Sequence, residues 1–93
     1  MPSARLSVHY DIAMDLPGET LVYTETEPCR KATIICTFGR PPCLSPRTLS
    51  AWWYPRDRRE MPMTGDEARL LIARIAEHCR SRLGMPELRI EDE

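Results

Sequence analysis

Three cysteines stand at intervals of seven, at Cys29, Cys36 and Cys43, and a fourth follows a histidine in His78-Cys79, with His9 elsewhere. Thiolates and imidazoles are common zinc ligands. A structural zinc site, however, usually draws cysteines in pairs two to four residues apart, so that a tight turn can converge them. No such pair occurs here. Cys36 and Cys79 also fall on the apolar phases of a strand and a helix, where a free thiol behaves as a small hydrophobe. No metal and no other cofactor is expected. A cysteine nucleophile would need a base and an orienting group beside an accessible thiol. Cys43, in a proline-rich loop, is the cysteine expected to be exposed, and nothing marks His9 or His78 as its base. Asp66 and Glu67 are adjacent carboxylates, but the start of a helix accounts for them. There is no glycine-rich phosphate loop and no Ser/His/Asp pattern. The chain reads as a non-enzyme.

The second chemistry-bearing segment is Trp52-Trp53-Tyr54-Pro55-Arg56-Asp57-Arg58-Arg59. Its rings can stack on bases and its arginines can pair phosphates. The same residue types are enriched at protein-binding hot spots. Adjacent residues of a strand point to opposite faces. If Trp53 follows Leu49 and Ala51 into the core, Trp52 and Tyr54 share the other face. Trp52, Tyr54, Arg56, Arg58 and Arg59 are therefore the candidate partner-binding residues.

Charge is segregated along the chain. Residues 1–28 carry −4, residues 29–59 carry +6 and residues 60–93 carry −3, for a net −1. A basic middle between acidic ends can meet an acidic partner, or it can neutralise its own neighbours within the fold. Nucleic-acid-binding domains usually carry a strong positive excess. A slightly acidic domain ranks that role below a protein partner.

These residues need elements to position them. Leu6, Val8, Tyr10, Ile12 and Met14 alternate with polar residues, which predicts a half-buried strand over residues 5–14. Leu16-Pro17-Gly18-Glu19 suits a type II turn with glycine at positive φ. Thr20 to Glu27 reads as the returning strand. After a turn at residues 27–30 comes a third strand over 31–38, with Ala32, Ile34, Cys36 and Phe38 inward. The three prolines of residues 39–46 predict a loop, Leu49 to Tyr54 a fourth strand, and residues 56–63 a surface linker.

The helix signal is the clearest. Thr64 and Glu67 fit a capping box, and Met63 and Ala68 can supply a hydrophobic staple. Ala68, Leu71, Ile72, Ile75, Ala76, Cys79 and Leu83 then form one apolar stripe. Gly84 and Pro86 end the helix near residue 83. Leu88 and Ile90 make a last short strand, and residues 91–93 a solvated tail. The order is β-β-β-β-α-β. A run of strands followed by one helix predicts an α+β fold, a mainly antiparallel sheet with one long helix packed on one face. One helix about 10 Å across would shield about half of a sheet roughly 20 Å wide, leaving apolar surface for the proline loop or a partner to cover.

Ninety-three residues make a single domain, 1–93, which buries about 60–65% of the surface exposed by its unfolded chain. No apolar run approaches the roughly 20 residues of a membrane span. The first fifteen residues contain no signal-peptide core, so a cytoplasmic location and reduced thiols are expected.

From about Thr20 to Glu91 the order of features resembles a small bacterial immunity-protein family of polymorphic toxin systems. The matching features are the strand Leu21-Val22-Tyr23-Thr24-Glu25 and a β segment running into Trp53 and Pro55. Met63-Thr64 with Glu67, then Arg74-Ile75, Gly84 and Leu88-Arg89-Ile90-Glu91 complete the order. The resemblance implies a cytoplasmic protein that binds and neutralises a toxin domain. It transfers no residue role. The expected function is a non-catalytic protein-interaction module, of immunity type on that resemblance, binding a partner protein or a second copy of itself. The alternative is a small nucleic-acid-binding or regulatory protein using Trp52–Arg59.

Overall fold

The computed structural model describes residues 6–15, 17 and 19–91. Among them, seven strands and one helix form an α+β arrangement. Strands β1 (Tyr10–Asp15), β2 (Thr20–Thr26) and β3 (Cys29–Thr37) form an antiparallel meander. Beyond it the sheet forks. The far end of β3 pairs with β4 (Cys43–Ser45), while Lys31 near its start pairs with Trp53 of β5 (Ala51–Tyr54). β6 (Arg59–Pro62) runs antiparallel beside β5. After helix α1 (Gly65–Arg82), β7 (Arg89–Ile90) joins β4 in parallel. The pairing is thus mainly antiparallel.

The helix follows its sequence signals. The Thr64 hydroxyl accepts from the Glu67 N–H at 3.1 Å, and the Thr64 N–H donates to the Glu67 carboxylate at 3.0 Å. The capping box thereby satisfies two groups that the first turn leaves without intrahelical partners. Gly84, at φ 69°, takes the left-handed conformation that lets the Met85 N–H return to the Cys79 carbonyl. Leu71, Ile75, Ala76 and Cys79 are buried against the sheet, as the apolar stripe requires.

Several expectations are corrected. The order is β-β-β-β-β-β-α-β, with two strands where a loop and a linker were expected. β4 is three residues between prolines, too short for a period to show, while β7 forms at Arg89–Ile90 where the last short strand was expected. β6 is an exposed edge strand that carries charge instead of alternation, and its proline stands at its end, where an edge strand tolerates one. The first strand starts at Tyr10, not at residue 5, and residues 1–5 lie outside the described residues. Ahead of β1, the Ser7 N–H donates to Glu25 and its carbonyl accepts from Arg74, which draws this segment away from ladder pairing and leaves Val8 exposed. Leu16 and Gly18 of the expected type II turn, and the tail residues 92 and 93, also lie outside the described residues.

The tryptophans exchange places relative to expectation. Trp52 is 1% exposed and Trp53 is 39% exposed. Leu49 is buried, but it leaves a 3₁₀ turn at Pro46–Thr48, so period two does not run unbroken from Leu49 to Trp53. The ladder sets the phase. Trp53 lies opposite Lys31 and shares its outer face, while Trp52 joins Tyr23 and Arg30 on the inner one.

The inner face is also better covered than one helix would allow. Trp52, Leu49 and Leu88 close it beside the helix, and the inward apolar side chains Leu21, Tyr23, Ala32, Ile34, Cys36 and Leu44 are buried. Among the inward residues of β1, Ile12 is buried and Tyr10 and Met14 are each 40% exposed, which marks where this cover ends. The outer face carries Thr24, Thr33 and Thr37 around Val22, Ile35 and Trp53.

Trp52→Ala should cost about 3–5 kcal/mol of stability by urea denaturation, the range for truncating a buried tryptophan. Trp53→Ala should cost less than about 1 kcal/mol, as an exposed substitution does. The opposite ranking would contradict the strand phase.

Candidate functional site

Glu25 and Arg30 face inward on neighbouring strands, cross-strand partners in the β2–β3 register. A buried charge is tolerated only when paired and hydrogen-bonded, and here that condition is met. The Glu25 carboxylate accepts from Arg30 Nε at 2.6 Å, from the Tyr23 hydroxyl at 2.6 Å and from the Ser7 N–H at 2.8 Å. Arg30 also reaches the Tyr54 hydroxyl and the Glu67 carboxylate at 3.4 and 3.5 Å, and its guanidinium lies 3.7 Å from the centroid of the Trp52 ring. On the other side, Arg74 donates to the Tyr23 hydroxyl at 2.8 Å and stacks over Tyr10 at 4.3 Å. Tyr10 stacks on Tyr23, and Tyr23 tilts against Trp52. The result is a row of three rings capped at each end by an arginine.

Titration follows from this packing. Burial, and then the bond to Glu25, push the Tyr23 phenol well above its ordinary range, so its proton stays in the donor role. Burial works against the Arg30 charge, yet the bonds to Glu25 and Tyr54 outweigh it and raise its pKa. Burial also pushes the Glu67 carboxyl up, but its bonds with Thr64, the neighbouring Trp52 ring N–H and the Arg30 charge carry it below the usual value. Glu67 therefore adds stability above the ordinary carboxylate range, and that stability fades as pH falls through its lowered pKa. This cluster is a core network with its charged and hydroxyl groups turned to one another and away from solvent, while the buried Trp52 ring N–H beside it has no partner at hydrogen-bond distance among the described residues.

The cysteines do not converge on a reactive site. Cys36 and Cys79 are buried, and burial pushes the Cys36 thiol up to about 11 and raises that of Cys79, which holds both in the unreactive thiol form. Cys43 is half-buried and not fully exposed as expected, with its thiol directed at the Leu44 carbonyl. Among the described residues no three His, Cys, Asp or Glu side chains gather as metal ligands would.

Of the five residues expected to bind a partner, Trp52 is enclosed by its own chain and is core. Tyr54 is half-buried under Arg30. Arg56, Arg58 and Arg59 are exposed on the β5–β6 hairpin, and among the described residues they form no ion pair. Other cations of the basic middle do neutralise the acidic ends: Arg30 meets Glu25 and Glu67, and Arg47 meets Glu91 at 3.2 Å. The hairpin arginines remain turned to solvent.

Trp53 is the outward aromatic that the sequence reading placed inside. It lies in one cross-strand row between Lys31 and Glu60, beside a hollow of about 340 Å³ that also touches Val22, Thr33 and Ala51. A larger cleft of about 850 Å³ opens between α1 and the β7 edge, over Ile72, Ala76 and Ile90. Its arginines are already engaged, Arg47 by Glu91, Arg69 by Asp66 and Arg80 by the Leu88 carbonyl. The β5–β6 hairpin, with an exposed ring on its outer face and unengaged arginines at its tip, is the better equipped for a partner.

Removing one member of the buried pair strands the other. Glu25→Ala should destabilise the fold by about 3–5 kcal/mol, and Glu25→Leu combined with Arg30→Met by clearly less than the sum of the two single changes. Additive losses in urea denaturation would show that the pair is not coupled. In comparisons with known protein families, with curated proteins and with solved structures, the chain matches none.

Proposed function

We propose that this chain is a non-catalytic protein-interaction module, of the immunity type that its feature order resembles, and that it holds an acidic partner protein through the β5–β6 hairpin and the adjoining outer sheet face. The observation that carries this reading is the exposed Trp53, beside Lys31 on the outer face of a hairpin whose tip carries the exposed Arg56, Arg58 and Arg59. An aromatic ring beside arginines supplies the large apolar contact and the rim of donors on which interfaces depend. The local excess of cations over Asp57 and Glu60 gives the partner its sign and would steer encounter. The non-catalytic reading is supported by a charge cluster that is closed on itself and by the Cys36 and Cys79 thiols held protonated in the core.

A photo-activatable phenylalanine analogue at position 53 would link the partner in cells, after which the purified partner can be titrated calorimetrically. Trp53→Ala should weaken binding by more than about 1 kcal/mol. Replacing Arg56, Arg58 and Arg59 together should weaken it further and flatten its salt dependence. Unchanged affinity in both variants would remove the hairpin from the interface. Submicromolar binding of single-stranded DNA that collapses with salt and with the three arginines would assign the same surface to nucleic acid instead.

A further inference from the structure

At the opposite side of the sheet from the hairpin, β1 is an edge strand. Among the described residues it pairs with β2 alone, without interruption from Tyr10↔Glu25 to Asp15↔Thr20. An open edge offers a row of backbone donors and acceptors to another strand, and proteins commonly blunt it with proline, lysine, a bulge or a cover. β1 contains neither proline nor lysine, and its ladder has no bulge. Its inward side chains Tyr10 and Met14 are each 40% exposed, although they belong to the face on which Ile12 is buried.

We infer that β1 is a self-association edge, at which two copies of this chain join their sheets through antiparallel β1–β1 pairing. The occupant is identified by charge and apolar register. A two-fold axis normal to the sheet keeps inner faces together, so each residue meets one of equal parity. Centring that axis on Ile12 sets Tyr10 opposite Met14 of the second copy and Asp11 opposite Ala13, with Asp15 beyond the paired residues. Each half-exposed apolar side chain then covers another, and no two carboxylates stand opposite one another. Moving the centre to Ala13 would oppose Asp11 to Asp15 twice, and moving it to Asp11 would oppose that residue to itself. Like charges directly opposite are destabilising. Of these three registers, the one centred on Ile12 makes the strand complementary to itself. This inference does not depend on the partner held at the hairpin.

Ala13 is exposed on the outer face, so its charge can be changed without touching the core. Sedimentation equilibrium of the full chain should show a concentration-dependent dimer. Ala13→Asp, which faces Asp11 twice per dimer, should weaken it about fivefold, and Ala13→Lys should tighten it by a similar factor. A chain that stays monomeric at several hundred micromolar, or variants that shift the equilibrium in the same direction, would overturn the inference. Amide exchange gives a second measurement on the unaltered chain. Outward amides of β1 should become protected as concentration rises, and equal exchange rates at low and high concentration would also overturn it.

Discussion

The buried pair between Glu25 and Arg30 governs the rest of the molecule. Two opposite charges on the inward phase of β2 and β3 lie under the sheet with side-chain exposures of 0% and 8%. Removing such charges from water costs several kcal/mol per ion unless partners replace the solvent. The fold supplies those partners from four directions: Tyr23 beside the carboxylate, the backbone of Ser7 above it, and Tyr54 and Glu67 around the guanidinium. Meeting these demands diverts the chain ahead of β1, fixes the start of the helix against β3 and brings the Trp52 ring under Arg30. Much of what differs from simple alternation traces to this pair.

The orientation of the tryptophans is its most consequential effect. With Trp52 stacked on the guanidinium, the next residue of β5 must point outward, and Trp53 enters the outer row beside Lys31 and Glu60. The same strand thus contributes a core residue and the aromatic centre of the proposed interface. The charge segregation along the chain divides in a similar way. Arg30 and Arg47 are spent on neutralising the acidic ends, while Arg56, Arg58 and Arg59 stay on the hairpin facing solvent. The sheet therefore presents two different margins, a cationic aromatic one at β5–β6 and an apolar one with aspartates on its outer face at β1.

Part of this was legible in the residue order. The helix could be read because capping, apolar stripe and terminating glycine all agree on one segment, and β2 and β3 because their alternation is long. β7 could be read from Leu88 and Ile90, but β4 and β6 were not legible as strands: three residues between prolines show no period, and an exposed edge carries no apolar phase. The candidate site was only half legible. Arg56, Arg58 and Arg59 could be placed on the surface from charge, but the phase of Trp52 and Trp53 could not, because a 3₁₀ turn interrupts the alternation behind them. A usable signal for the buried cluster did exist. Glu25 shares the parity of Leu21 and Tyr23, and Arg30 that of Ala32 and Ile34, so opposite charges on two inward phases mark a buried pair in the residue order itself.

The central claim is that the Glu25–Arg30 pair draws Trp52 inward and leaves Trp53 on the surface. Fluorescence of the two single-tryptophan variants tests this most directly. In Trp53→Phe, the remaining Trp52 should emit at short wavelength and resist acrylamide quenching. In Trp52→Phe, the remaining Trp53 should emit nearer the wavelength of a solvated indole and quench freely. A quenchable Trp52 and a protected Trp53 would contradict the account.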